Sequence, residues 1–277
     1  RNLAKYIKKL LREEKWLSKK KFNNLYLVGG TWRALFKLHL FQNNHPVHII
    51  HQYSIDNNVL SKFVEKISSF NKSKLKTVEY ISKSRTAYLP YSCIILDEIM
   101  RVTNPRNIIC SISGLREGSL SIDYFKDVKE SEIFHKALEN IAKKRGDLGS
   151  NYKKYYDFIQ PVFEGNEHFN KKLLYLACVL SHMDWGLGAF QKAELVFQET
   201  INTPLLRLTH KERIQLALSC YWRYCSIKYN PKMEYLTFLN NNEIFSSKQV
   251  GAALRFSQSL TSISTIFLEE FKLYKRG

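Results

Sequence analysis

Two arginines and a pair of glycines are the residues of this chain whose types best suit holding a phosphate. Arg85 and Arg116 carry planar guanidinium forks that match phosphate oxygens in pairs and stay charged at every working pH. Gly29-Gly30-Thr31 follows the apolar, β-prone stretch Asn24-Leu25-Tyr26-Leu27-Val28 and leads into a helix-prone segment from Trp32 to Leu40. Strand, glycine turn and helix start together aim backbone N–H groups, and the positive end of a helix dipole, at whatever lies above the turn. The glycines let the backbone come close to a ligand, and Thr31 reads as the N-cap. Arg33 follows on the same helix and is expected to face away from the turn. Each arginine also has a plainer role open to it, as an exposed cation or the partner of an acid such as Asp97 or Glu117.

The other chemistry-bearing side chains point less far. His45, His48 and His51 recur at intervals of three, but without cysteine or carboxylate partners they make a poor zinc site. His48, between Val47 and Ile49, is expected to be a partly buried histidine. Cys93, Cys110, Cys178, Cys220 and Cys225 are odd in number and contain no CxxC pair. A disulfide framework or zinc site is therefore not expected, and a reducing cytoplasm fits best.

The elements that must position these residues follow from periodicity. Residues 2 to 17 place Leu3, Ile7, Leu10, Leu11 and Leu17 on one stripe and read as an amphipathic helix. Val47 to His51 is a short β-prone stretch. Asp56 can cap a helix carrying Val59, Leu60, Phe63, Val64 and Ile67. Lys72 to Lys83 reads as a polar connection with a short helix. Pro90 fits the first turn of a helix through Ile94, Ile95, Ile99 and Met100, which Asn104-Pro105 ends. Asn107 to Ile112 is a second buried strand, and Gly114 turns the chain into another helix. From residue 126 onward the periodicity is helical throughout, with breaks at Gly146, Gly149, Gly165, Gly186 and Pro204.

The balance of charge is strongly basic, with 43 Lys and Arg against 25 Asp and Glu, a formal net charge of +18. Such a balance attracts anions, whether polyphosphate, nucleotide or nucleic acid, although the lysines are spread through every segment. No apolar run reaches the roughly 18 residues that span a bilayer, and no signal peptide opens the chain. Its first residue is Arg1, within a helical pattern, so a fragment of a longer protein is expected.

Four segments in order resemble the Ppx/GppA phosphatases, the exopolyphosphatase and guanosine pentaphosphate phosphohydrolase family. They are Gly29-Gly30-Thr31-Trp32-Arg33-Ala34-Leu35, then His45-Pro46-Val47-His48-Ile49-Ile50-His51-Gln52-Tyr53. Next come Ile81 to Tyr91, with Arg85, Leu89 and Pro90, and finally Gly114-Leu115-Arg116-Glu117-Gly118. The resemblance implies an α/β plus all-α chain: residues 1–125 as part of the second actin-like (ribonuclease H-like) domain, and residues 126–277 as a helical HD-like domain. In the second part the best match is Ala177-Cys178-Val179-Leu180-Ser181-His182-Met183-Asp184-Trp185. A true HD metal site needs an adjacent His-Asp pair. Here Met183 separates His182 from Asp184, and Tyr152 stands where relatives often keep a histidine. The domain therefore reads as metal-free, with His182 in a core or interface.

The resemblance further implies that Gly29, Gly30, Thr31, Arg85 and Arg116 bind phosphate in a cleft between two actin-like domains. It puts the general base, a glutamate, and the main phosphate loops upstream of Arg1, so no catalytic residue is assigned here. The full-length enzyme is expected to use Mg²⁺, to form a homodimer, and to hydrolyse terminal phosphoanhydrides of polyphosphate or guanosine pentaphosphate. This chain alone is expected to be inactive. No membrane association is expected. The rival reading is a non-catalytic basic helical module that binds RNA or a protein partner, with Tyr152, Tyr155, Tyr156 and Trp222 set among lysines for stacking.

Overall fold

The computed structural model describes residues 2–19, 21–70, 82–144, 151–182, 186–203, 208–229, 233–261 and 266–274. The connection expected at Lys72 to Lys83 lies mostly outside these residues, as do Gly146, Gly149, Asp184 and Pro204. The chain forms two units, Arg1–Tyr124 and Phe125–Gly277.

The first unit is built on a three-stranded sheet of order β1-β3-β2, with β1 at Asn24–Val28, β2 at Ser54–Asp56 and β3 at Asn107–Ser111. β1 and β3 run parallel, with Leu27 opposite Cys110 and Val28 opposite Ser111. β2 runs antiparallel to β3, with Ile55 opposite Ile108. Side chains alternate across a strand, so Leu27 is buried while its neighbours Tyr26 and Val28 are exposed. The buried face of the sheet shares one core with three helices, α3 (Gly30–Gln42), α4 (Asn57–Ser68) and, after the short α5 (Lys83–Thr86), α6 (Leu89–Thr103). Leu35, Phe36, Leu60, Ile67, Leu96 and Ile108 are fully enclosed there.

Local chemistry sets the helix ends. The Asp56 carboxylate accepts the Asn58 N–H at 2.8 Å and caps α4, as the sequence suggests. Pro90 sits in the first turn of α6, and Asn104 ends that helix in the left-handed conformation, φ 39°. The N-terminal amphipathic segment is two helices rather than one, α1 (Asn2–Glu13) and α2 (Lys15–Lys19), and both pack on α6. The β-prone stretch Val47–His51 is not a strand. It runs into a turn in which Gln52 takes φ 62° and donates its N–H to Cys110 O at 2.9 Å. The last element of this unit is α7 (Leu115–Tyr124), all of whose side chains are exposed.

The second unit is helical throughout its described residues. It comprises α8 (Glu130–Lys144), α9 (Tyr152–Ile159) with a 3-10 turn at Gln160–Phe163, α10 (Lys171–Leu180), α11 (Ala189–Asn202), α12 (His210–Tyr224), α13 (Met233–Leu236), α14 (Asn241–Thr261) and α15 (Phe267–Glu270). α12 is buried from His210 to Arg223 apart from Lys211 and Glu212. A capping box starts it, in which Thr209 and Glu212 satisfy each other's backbone N–H groups. α14 crosses α12 so closely that Gly251 has Trp222 Cβ within 2.6 Å of where a Cβ would stand.

Candidate phosphate-binding site

Because β1 and β3 are parallel neighbours, their carboxyl ends, Val28 and Ser111, emerge side by side. The two turns that follow are therefore adjacent, with an ideal Cβ on Gly114 only 3.6 Å from Val28 Cγ1. In open α/β sheets this edge is where ligands bind, at the helix starts beyond the strands.

The glycine turn itself differs in one detail from the expectation. The N-cap of α3 is Gly29, at φ 126° and ψ 165°, and no side chain caps the helix. Thr31 lies one residue inside, in the first turn. Only glycine adopts the Gly29 backbone without strain. The first-turn N–H groups have no partner within the helix, which is what an anion would use.

Arg85 and the glycine turn meet. The guanidinium lies directly against Gly30, with Nη2 at 3.0 Å, Cζ at 3.1 Å and Nε at 3.3 Å from an ideal Cβ position. Any side chain at residue 30 would occupy the space the guanidinium now fills. Asp97, the acid considered as a partner for Arg85, is instead bound to Arg101 at 2.8 Å. Arg116 is exposed in the first turn of α7, beyond the second turn. Its neighbour Glu117 accepts the Gly114 N–H through Oε2 at 2.6 Å, so it acts as a helix cap. Hydrogen bonds from its own amide and from Gly114 hold the Glu117 carboxyl below its ordinary range.

Two residues join this edge from unexpected directions. Arg33 does not face away: its Nη1 donates to Ile112 O at 3.3 Å, across from α3 to the end of β3. His51 is buried, and its Nδ1 accepts the Ile112 N–H at 3.3 Å. The histidine expected to be partly buried, His48, is exposed and rests on the Phe41 ring. His45 is enclosed and accepts the Val47 N–H at 3.1 Å. The three histidines thus serve separate local tasks. Among the described residues no group of three or more His, Cys, Asp or Glu side chains is gathered to hold a metal ion.

In the helical unit the four aromatic residues of the rival reading do not face solvent. Tyr152, Tyr155, Tyr156 and Trp222 are all buried, and Trp222 donates its indole N–H to Tyr229 O at 2.8 Å. His182 is buried edge-on to Tyr155. Ser181 Oγ accepts from Arg223 at 2.6 Å, and Arg223 Nη2 lies 3.1 Å from His182 Nδ1. A buried guanidinium therefore engages both Ser181 and His182. Asp184 lies outside the described residues.

The arrangement defines an α/β unit with a glycine turn and an arginine guanidinium together at the carboxyl ends of two parallel strands. A model of the Ppx/GppA phosphatase family matches residues 2–124. The match spans the first unit and contains the glycine turn, Arg85 and Arg116. No curated protein matches the chain. Among the described residues no helix is long and apolar enough to cross a membrane.

Proposed function

We propose that the first unit is one wall of a phosphatase cleft that holds the terminal phosphate of polyphosphate or guanosine pentaphosphate. The observation that carries this reading is the seating of the Arg85 guanidinium on Gly30. It puts a charged fork beside the N–H groups of the α3 start, where each reinforces the other's hold on a phosphate oxygen. Arg116 faces the same ligand from the neighbouring turn.

Hydrolysis of a phosphoanhydride needs a water in line with the leaving oxygen, a base to take its proton and neutralisation of the developing charge. The residues of this site supply the last. Glu117, the carboxylate at these turns, already accepts from Gly114 and has a structural task. The base and the remaining phosphate loops, in this reading, belong to a first actin-like domain outside these 277 residues, and the first unit is part of the second. Guanidinium forks and backbone N–H groups are donors that fit a phosphate and not a divalent cation. The helical unit is assigned as an HD-like domain without its own metal, offering basic surface to a long polyanion and a homodimer contact. The cytoplasm, where such substrates occur, is the proposed compartment.

Calorimetric titration of the chain with tripolyphosphate at low salt tests the binding half of this proposal. Tripolyphosphate should bind more tightly than orthophosphate, and Arg85→Met should weaken it by about tenfold or more, the worth of one charge-assisted contact. Equal affinity of the native and Arg85→Met chains would overturn it. The chain alone should release no phosphate from either substrate.

A further inference from the structure

The two turns of the site are held in opposite ways. At Gly29–Thr31 the backbone donors of the helix start are left for a ligand. At residues 112–114 every backbone polar group is engaged within the protein. Ile112 donates to His51 Nδ1 and accepts from Arg33 Nη1. Ser113 donates to Ser111 Oγ at 3.2 Å, and its carbonyl accepts from the same hydroxyl at 3.0 Å. Gly114 donates to Glu117 and accepts from Gly118 N at 3.0 Å.

Residues 112–114 so occupied have no N–H to offer a phosphate, and the charged side chain this turn carries forward is Arg116. What the surrounding bonds do is fix where that side chain starts. The Ile112 peptide is the part of this turn gripped from outside it on both its polar atoms. His51 reaches it from the turn that Gln52 ties to Cys110 O, and Arg33 reaches it from the first turn of α3. Arg33 thereby links the glycine turn to the Arg116 turn.

We propose that Arg33 and His51 are positioning residues: they clamp the Ile112 peptide and so set Arg116 relative to the Gly29–Gly30 cradle. Neither touches the ligand. The inference rests on the reading of Arg116 as a phosphate contact, and it deepens that reading by naming what aims it.

Tripolyphosphate affinity of the full chain, measured by calorimetry alongside thermal melting, separates the possibilities. Arg33→Met and His51→Leu should each weaken binding about fivefold, the effect of loosening one held contact. His51→Asn, whose amide oxygen can accept the Ile112 N–H in place of Nδ1, should restore affinity to within about twofold. The decisive background is Arg116→Met. There, Arg33→Met and His51→Leu should change affinity by less than about twofold, because the group they aim is gone. A fivefold loss that persists in that background would show that Arg33 binds phosphate itself, and would overturn the proposal. So would unchanged affinity of Arg33→Met or His51→Asn failing to rescue a chain that melts normally. If Arg85→Met and Arg116→Met leave binding untouched, the site reading fails first, and that result is distinct from either.

Discussion

Gly30→Ala separates the fold from the site at a single methyl group. Gly30 opens α3 with an ordinary helical backbone, so alanine there is not strained, and a helical alanine stabilises by about 0.5–1 kcal/mol over glycine. The new Cβ would nevertheless stand 3.0–3.3 Å from three atoms of the Arg85 guanidinium. Ordinary contact requires roughly another half ångström. The obstructing atoms are the far end of an exposed, flexible side chain, so it is the arginine that moves and not the helix.

The expected result is a protein that melts at the same temperature or slightly higher, yet binds tripolyphosphate more weakly. Displacing a charge-assisted donor without deleting it should cost about 1 kcal/mol, or about fivefold in affinity. Arg85→Met, which deletes it, should cost more, about 2 kcal/mol. Calorimetric titration and thermal melting of the native chain, both single variants and the double variant complete the cycle. In the Arg85→Met background, Gly30→Ala should have almost no further effect on binding. The reasoning fails if Gly30→Ala leaves affinity unchanged while Arg85→Met lowers it. It also fails if the alanine weakens binding equally with and without Arg85, since the methyl would then obstruct the ligand directly.

Three further outcomes follow from the packing and the buried titratable groups. Gly251→Ala should destabilise the helical unit by about 2 kcal/mol in urea unfolding, despite alanine's helix propensity. Its Cβ would lie 2.6 Å from Trp222 Cβ and 2.9 Å from Ser219 O, so the α12–α14 crossing must open; unchanged stability would refute this. Burial first, and then repulsion from His48 and His39, pulls His45 from an ordinary 6.5 to about 4. The unfolded chain therefore takes up this proton first. The contribution is complete above about pH 6.5 and is lost as the pH falls from there toward 4. After allowance for partial solvent access it amounts to about 2 kcal/mol. His45→Asn keeps an acceptor for the Val47 N–H and should flatten the urea midpoint against pH over that window, where parallel curves would refute the assignment. All five cysteines are buried and none forms a disulfide, and burial pushes Cys93 and Cys110 up to about 12. Native protein at pH 8 should not react rapidly with Ellman's reagent, while urea-unfolded protein titrates all five thiols; one fast native thiol would reveal local opening.

What the sequence made legible divides by the range of the interaction. The glycine turn, the Asp56 cap, the Pro90 helix start and the Asn104 stop each depend on residues within one turn of chain, and each stands where local chemistry put it. The N-cap stands two positions before Thr31, because Gly29 can enter the helix through a positive φ that needs no side-chain cap. Tyr152, Tyr155 and Tyr156 recur at the i, i+3, i+4 spacing of a buried stripe, and the lysines between them, Lys153 and Lys154, lie on the outer side of the helix. That pattern marks a core face, not a stacking platform. Arg33 and His51 were beyond such reasoning. Each meets the backbone of Ile112, from 79 and 61 residues away, and a backbone partner leaves no trace in residue type. A side chain that grips a distant peptide bond can be recognised only after the strands have brought the two together. Arg85 and Arg116 announce themselves by their chemistry, while Arg33 and His51 reach Ile112 only because β1 pairs in parallel with β3.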